Sequence, residues 1–210
     1  MPHPTGAAPL PENRDRDRDR DRTPAALRVA VIIGSTREGR AGGAVGEWFT
    51  ERARRRTDLE LRLVDLAGFR FPERYPERPS PDMTAFCDEV ARAEGFVVVT
   101  PEYNRSFPAS LKQAIDFAYD EWHAKPVAFV SYGSRSAGLF AVEALRSVFT
   151  ELHTVTVRDG VGFDLLAGLP GEPGRPTEDA EERAVTGMLD QLVWWGLALR
   201  EGRTVRPYVT

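Results

Sequence analysis

The sequence predicts a three-layer α/β/α sandwich built on a five-stranded parallel sheet. Three observations carry that prediction. Short β-branched apolar runs recur at 27–33, 59–66, 95–100, 125–133 and 153–157. Stretches between them repeat their apolar residues at helical spacing. The run at 95–100 is apolar nearly throughout, as a strand covered by helices on both faces must be.

Taken in order, LRVAVII (27–33) reads as the first buried strand, and a helix follows over about 44–56 with Val45, Trp48 and Phe49 on one face. LELRLVDL (59–66) alternates and reads as the second strand. Four prolines (Pro72, Pro76, Pro79, Pro81) mark 68–81 as a surface loop. A helix over 82–93 places Met83, Phe86 and Val90 for burial, and GFVVVT (95–100) is the third strand. The helix after Ser110 turns Leu111, Ala114, Ile115 and Ala118 to one side. KPVAFVSYG (125–133) is the fourth strand, and 138–152 is helical with Leu139, Val142, Leu145 and Phe149 in register. HTVTV (153–157) is the fifth strand; a Gly/Pro-rich loop runs through Pro176, and a last helix spans 178–200. Two doubly wound orders are common, Rossmann-like and flavodoxin-like, and five βα units in one domain favour the latter, order 2-1-3-4-5. The expected organisation is a disordered tail over 1–26, one domain over 27–203 and a short tail over 204–210.

The tail prediction rests on PENRDRDRDRDR, whose alternating charges offer no apolar face to offset the entropy of ordering. Net charge is −4, which argues against recruiting nucleic acid. Only Lys112 and Lys125 are lysines among 28 basic residues, so single arginines carry little weight as signals. No apolar run approaches the roughly 18–20 residues that span a bilayer. No secretory h-region precedes the domain, and the one cysteine, Cys87, permits neither an internal disulfide nor a Cys-rich metal site. A cytoplasmic location without membrane or metal is the expectation.

In the 2-1-3-4-5 order the chain reverses direction across the sheet between strands 1 and 3, and ligands bind outside the carboxyl ends of the strands there. The loops after Ile33 and Thr100 should therefore face one another. The first, Gly34 to Arg40, joins a strand to a helix N-terminus, where free amides and the helix dipole favour a phosphate. Ser35 and Thr36 add hydroxyls, and Arg37 or Arg40 adds charge. Taken alone it reads equally as an ordinary turn capped by Ser or Thr. The second loop carries Glu102, Tyr103, Asn104 and Ser106 between two stiffening prolines, Pro101 and Pro108. A third, 131–138, holds two glycines that allow close approach of a ligand. Asp65, ending strand 2, reads better as a turn or cap former than as a ribose ligand, because no G-x-G-x-x-G precedes it.

GSTREGR (34–40), followed by TPEYNRSFPASLKQAID (100–116), resembles the NADPH-dependent FMN reductase family over about residues 27–160. The resemblance implies a flavodoxin-like enzyme that passes hydride from NADPH, or NADH, through bound FMN to a small acceptor such as a quinone, free flavin, azo compound or metal oxyanion. It implies that Ser35, Thr36, Arg37 and Arg40 hold the FMN phosphate. Pro101, Glu102, Tyr103 and Asn104 then line the isoalloxazine ring, and Tyr132, Gly133, Ser134, Arg135 and Ser136 approach its opposite edge through backbone groups. No catalytic side chain is implied, since the chemistry resides on the cofactor. Relatives of this kind are commonly homodimers or homotetramers. The sequence departs from the family pattern at Ala109, usually Gly, at Gln113, commonly Asn, and at Ser136-Ala137-Gly138, which replaces a paired glycine. The alternatives are an FMN-binding electron carrier or redox sensor without NADPH turnover, and a nucleotide-binding module with an empty flavin slot.

Outside these loops, His123 and His153 read as structural or exposed and Cys87 as inert core. Lys112 and Asp116, at i and i+4, are spaced to pair. Trp194 and Trp195 point about 100° apart on the last helix, so one is expected inside and the other on a subunit contact.

Overall fold

A computed structural model describes residues 25–172 and 178–209; the Arg/Asp repeat lies outside them. Among the described residues six strands form one parallel sheet: β1 (Leu27–Ile33), β2 (Leu59–Asp65), β3 (Gly95–Pro101), β4 (Pro126–Gly133), β5 (Val155–Thr156) and β6 (Val161–Asp164). The order is β2-β1-β3-β4-β5, as expected, with β6 also paired to β4. Five helices cover it: α1 (Gly42–Ala53), α2 (Pro81–Arg92), α3 (Ala109–Phe117), α4 (Leu139–Glu151) and α5 (Glu178–Val205). Among the described residues no helix is long and apolar enough to cross a membrane.

The layers follow from strand alternation. Val29, Val31 and Ile33 of β1 face α1 and α5, where Phe49, Met188, Leu189 and Leu192 complete one core. Ala30 and Ile32 point the other way, toward Phe86 and Val90 of α2, Leu111 of α3 and Phe149 of α4. β1, β3 and β4 are thus buried on both faces over most of their length, which explains their largely apolar runs. The edge strand β2 is half-exposed, and its polar alternation shows it.

The fifth strand departs from expectation. His153 adopts a left-handed φ of 55°, closing the C-terminus of α4 while Thr154 N donates to Phe149 O at 3.1 Å. The strand therefore starts late and spans only Val155–Thr156, beside Pro126–Val127 at the beginning of β4. The chain leaves the sheet, with Arg146 donating to the Val157 and Arg158 carbonyls, and returns as β6 beside Val130–Gly133. Part of the stretch expected to be loop is thus strand. Its signal was the alternation of buried Val161 and Phe163 around exposed Gly162, hidden among glycines.

Three further expectations change. Leu139 is 55% exposed at the start of α4 rather than in the core. Trp194 and Trp195 are 64% and 37% exposed and pack edge-to-face on each other, so neither enters the core. The last helix continues to Val205, and Tyr208 beyond it hydrogen-bonds its hydroxyl to His153 Nδ1 at 3.0 Å. Lys112 and Asp116 pair at 2.7 Å, as their spacing implied.

Candidate active site

The carboxyl ends of β1, β3 and β4 bring the three predicted loops together. Gly34 N donates to Val99 O at 2.9 Å, Ser110 Oγ donates to Gly34 O at 3.3 Å, and the Ser35 and Tyr103 hydroxyls lie 3.3 Å apart. The first and second loops are therefore in direct contact across the switch point. Between them and the third loop lies a cleft of about 490 Å³. Arg37, Arg40, Pro101, Glu102, Tyr103, Tyr132, Gly133 and Ser134 all line it.

The phosphate end is built from α1 and what lies beneath it. The helix starts without a side-chain cap, since Ala41 and not a Ser or Thr occupies the N-cap, and no acid sits in its first turn. Its leading amides are left for an anion. Tyr132, only 3% exposed, reaches under this turn, and a Cβ at Gly42 would come within 2.7 Å of its hydroxyl oxygen. The hydroxyl has no well-formed hydrogen bond. Burial pushes the phenol up to about 12, partly offset by nearby Ser35. A buried, neutral hydroxyl whose approach to Ser35 falls short of a well-formed hydrogen bond, beside an uncapped helix N-terminus, suits a phosphate oxygen. The Tyr132 side chain thus lies beneath the α1 turn, and its backbone is at the end of β4, the part the resemblance assigns to the ring edge.

Arg40 is engaged within the protein. Its guanidinium forms a two-pronged pair with Asp65, both contacts at 2.6 Å, and also donates to the Ser35 carbonyl. The Asp65 hydrogen bond raises the Arg40 pKa further. Burial alone would raise the Asp65 carboxyl, but Arg40 and the Ala67 amide outweigh it and hold the carboxyl below its usual range. Arg40 therefore pins the loop to the end of β2, and Asp65 also caps the short helical turn that follows. Arg37 and Thr36 are exposed on the loop, and Arg37 is the cation on the cleft wall without such an ion pair. Ser35 is fully buried.

In the second loop, Asn104 and Arg105 are both left-handed (φ 50° and 65°), and Tyr103 and Ser106 exchange backbone hydrogen bonds at 2.8 and 2.9 Å. This is a two-residue hairpin turn with both central residues at positive φ, a setting Asn tolerates better than most. Asn104 is exposed at its tip and does not line the cleft, while Tyr103 presents a half-exposed ring to it. In the third loop Gly133 and Ser134 line the cleft, but Ser136 faces a neighbouring depression with Ala137 and Leu139. Arg135 is exposed. Leu165, after β6, lines the cleft too; it went unforeseen because β6 did.

Comparison with known proteins places this site in a family. The model for NADPH-dependent FMN reductase matches residues 27–165, and the chain belongs to that family. An NAD(P)H-dependent FMN reductase of Schizosaccharomyces pombe is 36% identical over 122 residues, 53% of this chain and 60% of the relative. A 2-hydroxy-1,4-benzoquinone reductase of a Burkholderia species is 31% identical over 137 residues, 62% of this chain and 74% of the relative. The chain thus spans about three-fifths of the length of the first of these relatives. Among solved structures, the flavoenzyme NAD(P)H:(acceptor) oxidoreductase of Paracoccus denitrificans superposes with a TM-score of 0.69 at 22% identity, covering 82% of this chain and 98% of the other. At that identity it supports the flavodoxin-like fold alone.

The family implies FMN, and the residues present fit it. The uncapped α1 turn and the unpartnered Tyr132 hydroxyl suit its phosphate. The walls formed by Pro101 to Tyr103 and by Gly133 and Ser134 bound a cleft of suitable volume.

Proposed function

We propose that this protein is an FMN-containing NAD(P)H-dependent oxidoreductase that reduces a small acceptor of the quinone class. The observation that carries the reading is the unpartnered Tyr132 hydroxyl beneath the uncapped N-terminus of α1, at the end of the cleft formed by the family's own motif loops. FMN, when bound, would supply the hydride and electron-transfer chemistry between the nicotinamide and the acceptor. The chain's residues do the rest. The α1 amides, Thr36, Arg37 and the Tyr132 hydroxyl would hold the phosphate, with the fully buried Ser35 supporting their loop from beneath. Arg40 keeps their loop in place through Asp65. Pro101, Tyr103, Gly133 and Ser134 flatten and partly dry the walls against which the ring lies.

The quinone class is supported by the benzoquinone reductase among the relatives. A cytoplasmic location suits an enzyme that draws on NADPH, with NADH as the other reductant. The exposed edge-to-face pair Trp194 and Trp195 on α5 supports a homo-oligomer, dimer or tetramer, in which a second copy covers them.

The test is steady-state oxidation of NADPH and NADH by the FMN-loaded chain with benzoquinones, free flavin, an azo dye and chromate as acceptors. Turnover with a quinone is the expected result. Bound flavin with negligible turnover would identify an electron carrier instead.

A further inference from the structure

We propose that Glu102 is a positioning residue: its carboxylate ties the loop after β3 to the loop after β4 and thereby sets the spacing of the cleft. The proposal rests on the FMN reading above, which otherwise makes Glu102 a wall of the flavin slot. Its Oε2 is already engaged. It accepts from Ser136 Oγ at 2.9 Å and from Phe140 N, in the first turn of α4, at 3.1 Å. A carboxylate at a helix N-terminus satisfies an amide that would lack a partner and is favoured by the helix dipole. The Glu102 backbone joins the same connection, with its N–H donating to Tyr132 O at 2.9 Å. Three residues further on, the Arg105 guanidinium stacks 3.7 Å from the centre of the Phe140 ring. The loop after β3 is thus fastened to the loop after β4 by Glu102 and to the start of α4 by both Glu102 and Arg105.

The clamp holds something that resists being held. Within five residues of the third loop, Arg135, Ala137 and Gly138 have φ of 46°, 51° and 86°. Gly138 bears this without strain, but for Arg135 and Ala137 it is costly, and such a conformation persists only where its surroundings impose it. The sequence shows no paired glycine here to relieve the loop. Ser131 Oγ donates to the Ala137 carbonyl at 2.8 Å, and Glu102, from the neighbouring loop, accepts from Ser136. Gly133 and Ser134, at the start of this loop, form one cleft wall. Release of Ser136 therefore lets that wall relax.

The test compares the wild-type chain with Glu102→Ala, Glu102→Gln and the double variant Glu102→Ala/Ala137→Gly. Amide exchange is followed over 131–140 in the flavin-free proteins, and FMN affinity by quenching of flavin fluorescence. Loss of a charge-assisted bond predicts exchange over 131–140 faster by about tenfold in Glu102→Ala, and FMN binding weaker by a similar factor. Glu102→Gln keeps an acceptor oxygen and should recover part of both. Ala137→Gly removes strain and should recover FMN affinity in the double variant, a rescue that a loss of general stability would not produce. Unchanged exchange or unchanged FMN affinity in Glu102→Ala overturns the proposal, as does faster exchange spread equally over α1 and α5. A wild-type chain that takes up no FMN refutes the cofactor reading instead, while exchange in the flavin-free proteins still decides whether Glu102 holds the loop.

Discussion

At the residue scale, Tyr132 and Arg37 make opposite demands on the socket. The Tyr132 hydroxyl is buried without a partner, a state that costs stability until a ligand satisfies it. Tyr132→Phe should leave the melting temperature of the flavin-free chain unchanged or higher while weakening FMN binding. Thermal denaturation and an FMN titration on the same sample check both. Arg37→Ala removes an exposed cation and should leave stability unchanged within about 0.5 kcal/mol. It should weaken FMN binding by about tenfold, the worth of a charge-assisted bond. Arg40 and Asp65 predict a pH effect. The Asp65 carboxyl is held low in the folded chain, so the pair stabilises above the unfolded carboxylate value near pH 4 and is lost as pH falls through the folded value. The difference in melting temperature between wild type and Asp65→Asn should therefore shrink as the pH drops below about 4. For the candidate site, sequence reasoning located the loops but not every contact within them. Nothing in GSTREGR distinguishes an arginine that meets a ligand from one that reaches back to Asp65, because the partner lies 25 residues away on another strand.

At the scale of elements, the loop after β4 carries a tight constraint that includes backbone atoms. A Cβ on Gly138 would lie 2.5 Å from Ser131 Cβ and 2.8 Å from Tyr132 N, at a φ of 86° that an L-residue rarely adopts. Gly138→Ala should therefore destabilise the chain by more than about 2 kcal/mol, read by denaturant unfolding. Strand β6 shows where pattern reading ran out. Its four residues are too few to establish a period, two glycines flank and interrupt them, and their partner is the far half of an already assigned strand. The long runs β1, β3 and β4 were legible because burial on both faces leaves few polar positions to interrupt them.

At the scale of the molecule, strand order was legible because doubly wound sheets allow few alternatives, and the order in turn located the cleft. The outer surface was not. Trp194 and Trp195 carry the same sequence signal whether they face a core or a neighbouring copy, and both lie on the surface of this chain. If they cover a second copy, Trp194→Ala with Trp195→Ala should shift the mass measured by light scattering toward the monomer while leaving FMN bound.

The account stands or falls on the cofactor, and direct FMN titration of the flavin-stripped chain tests it most directly. The account predicts saturable uptake of one FMN per chain, a resolved flavin absorption band and quenched flavin fluorescence, all weakened by Tyr132→Phe. A chain that stays colourless and leaves flavin fluorescence unchanged at saturating FMN would contradict it.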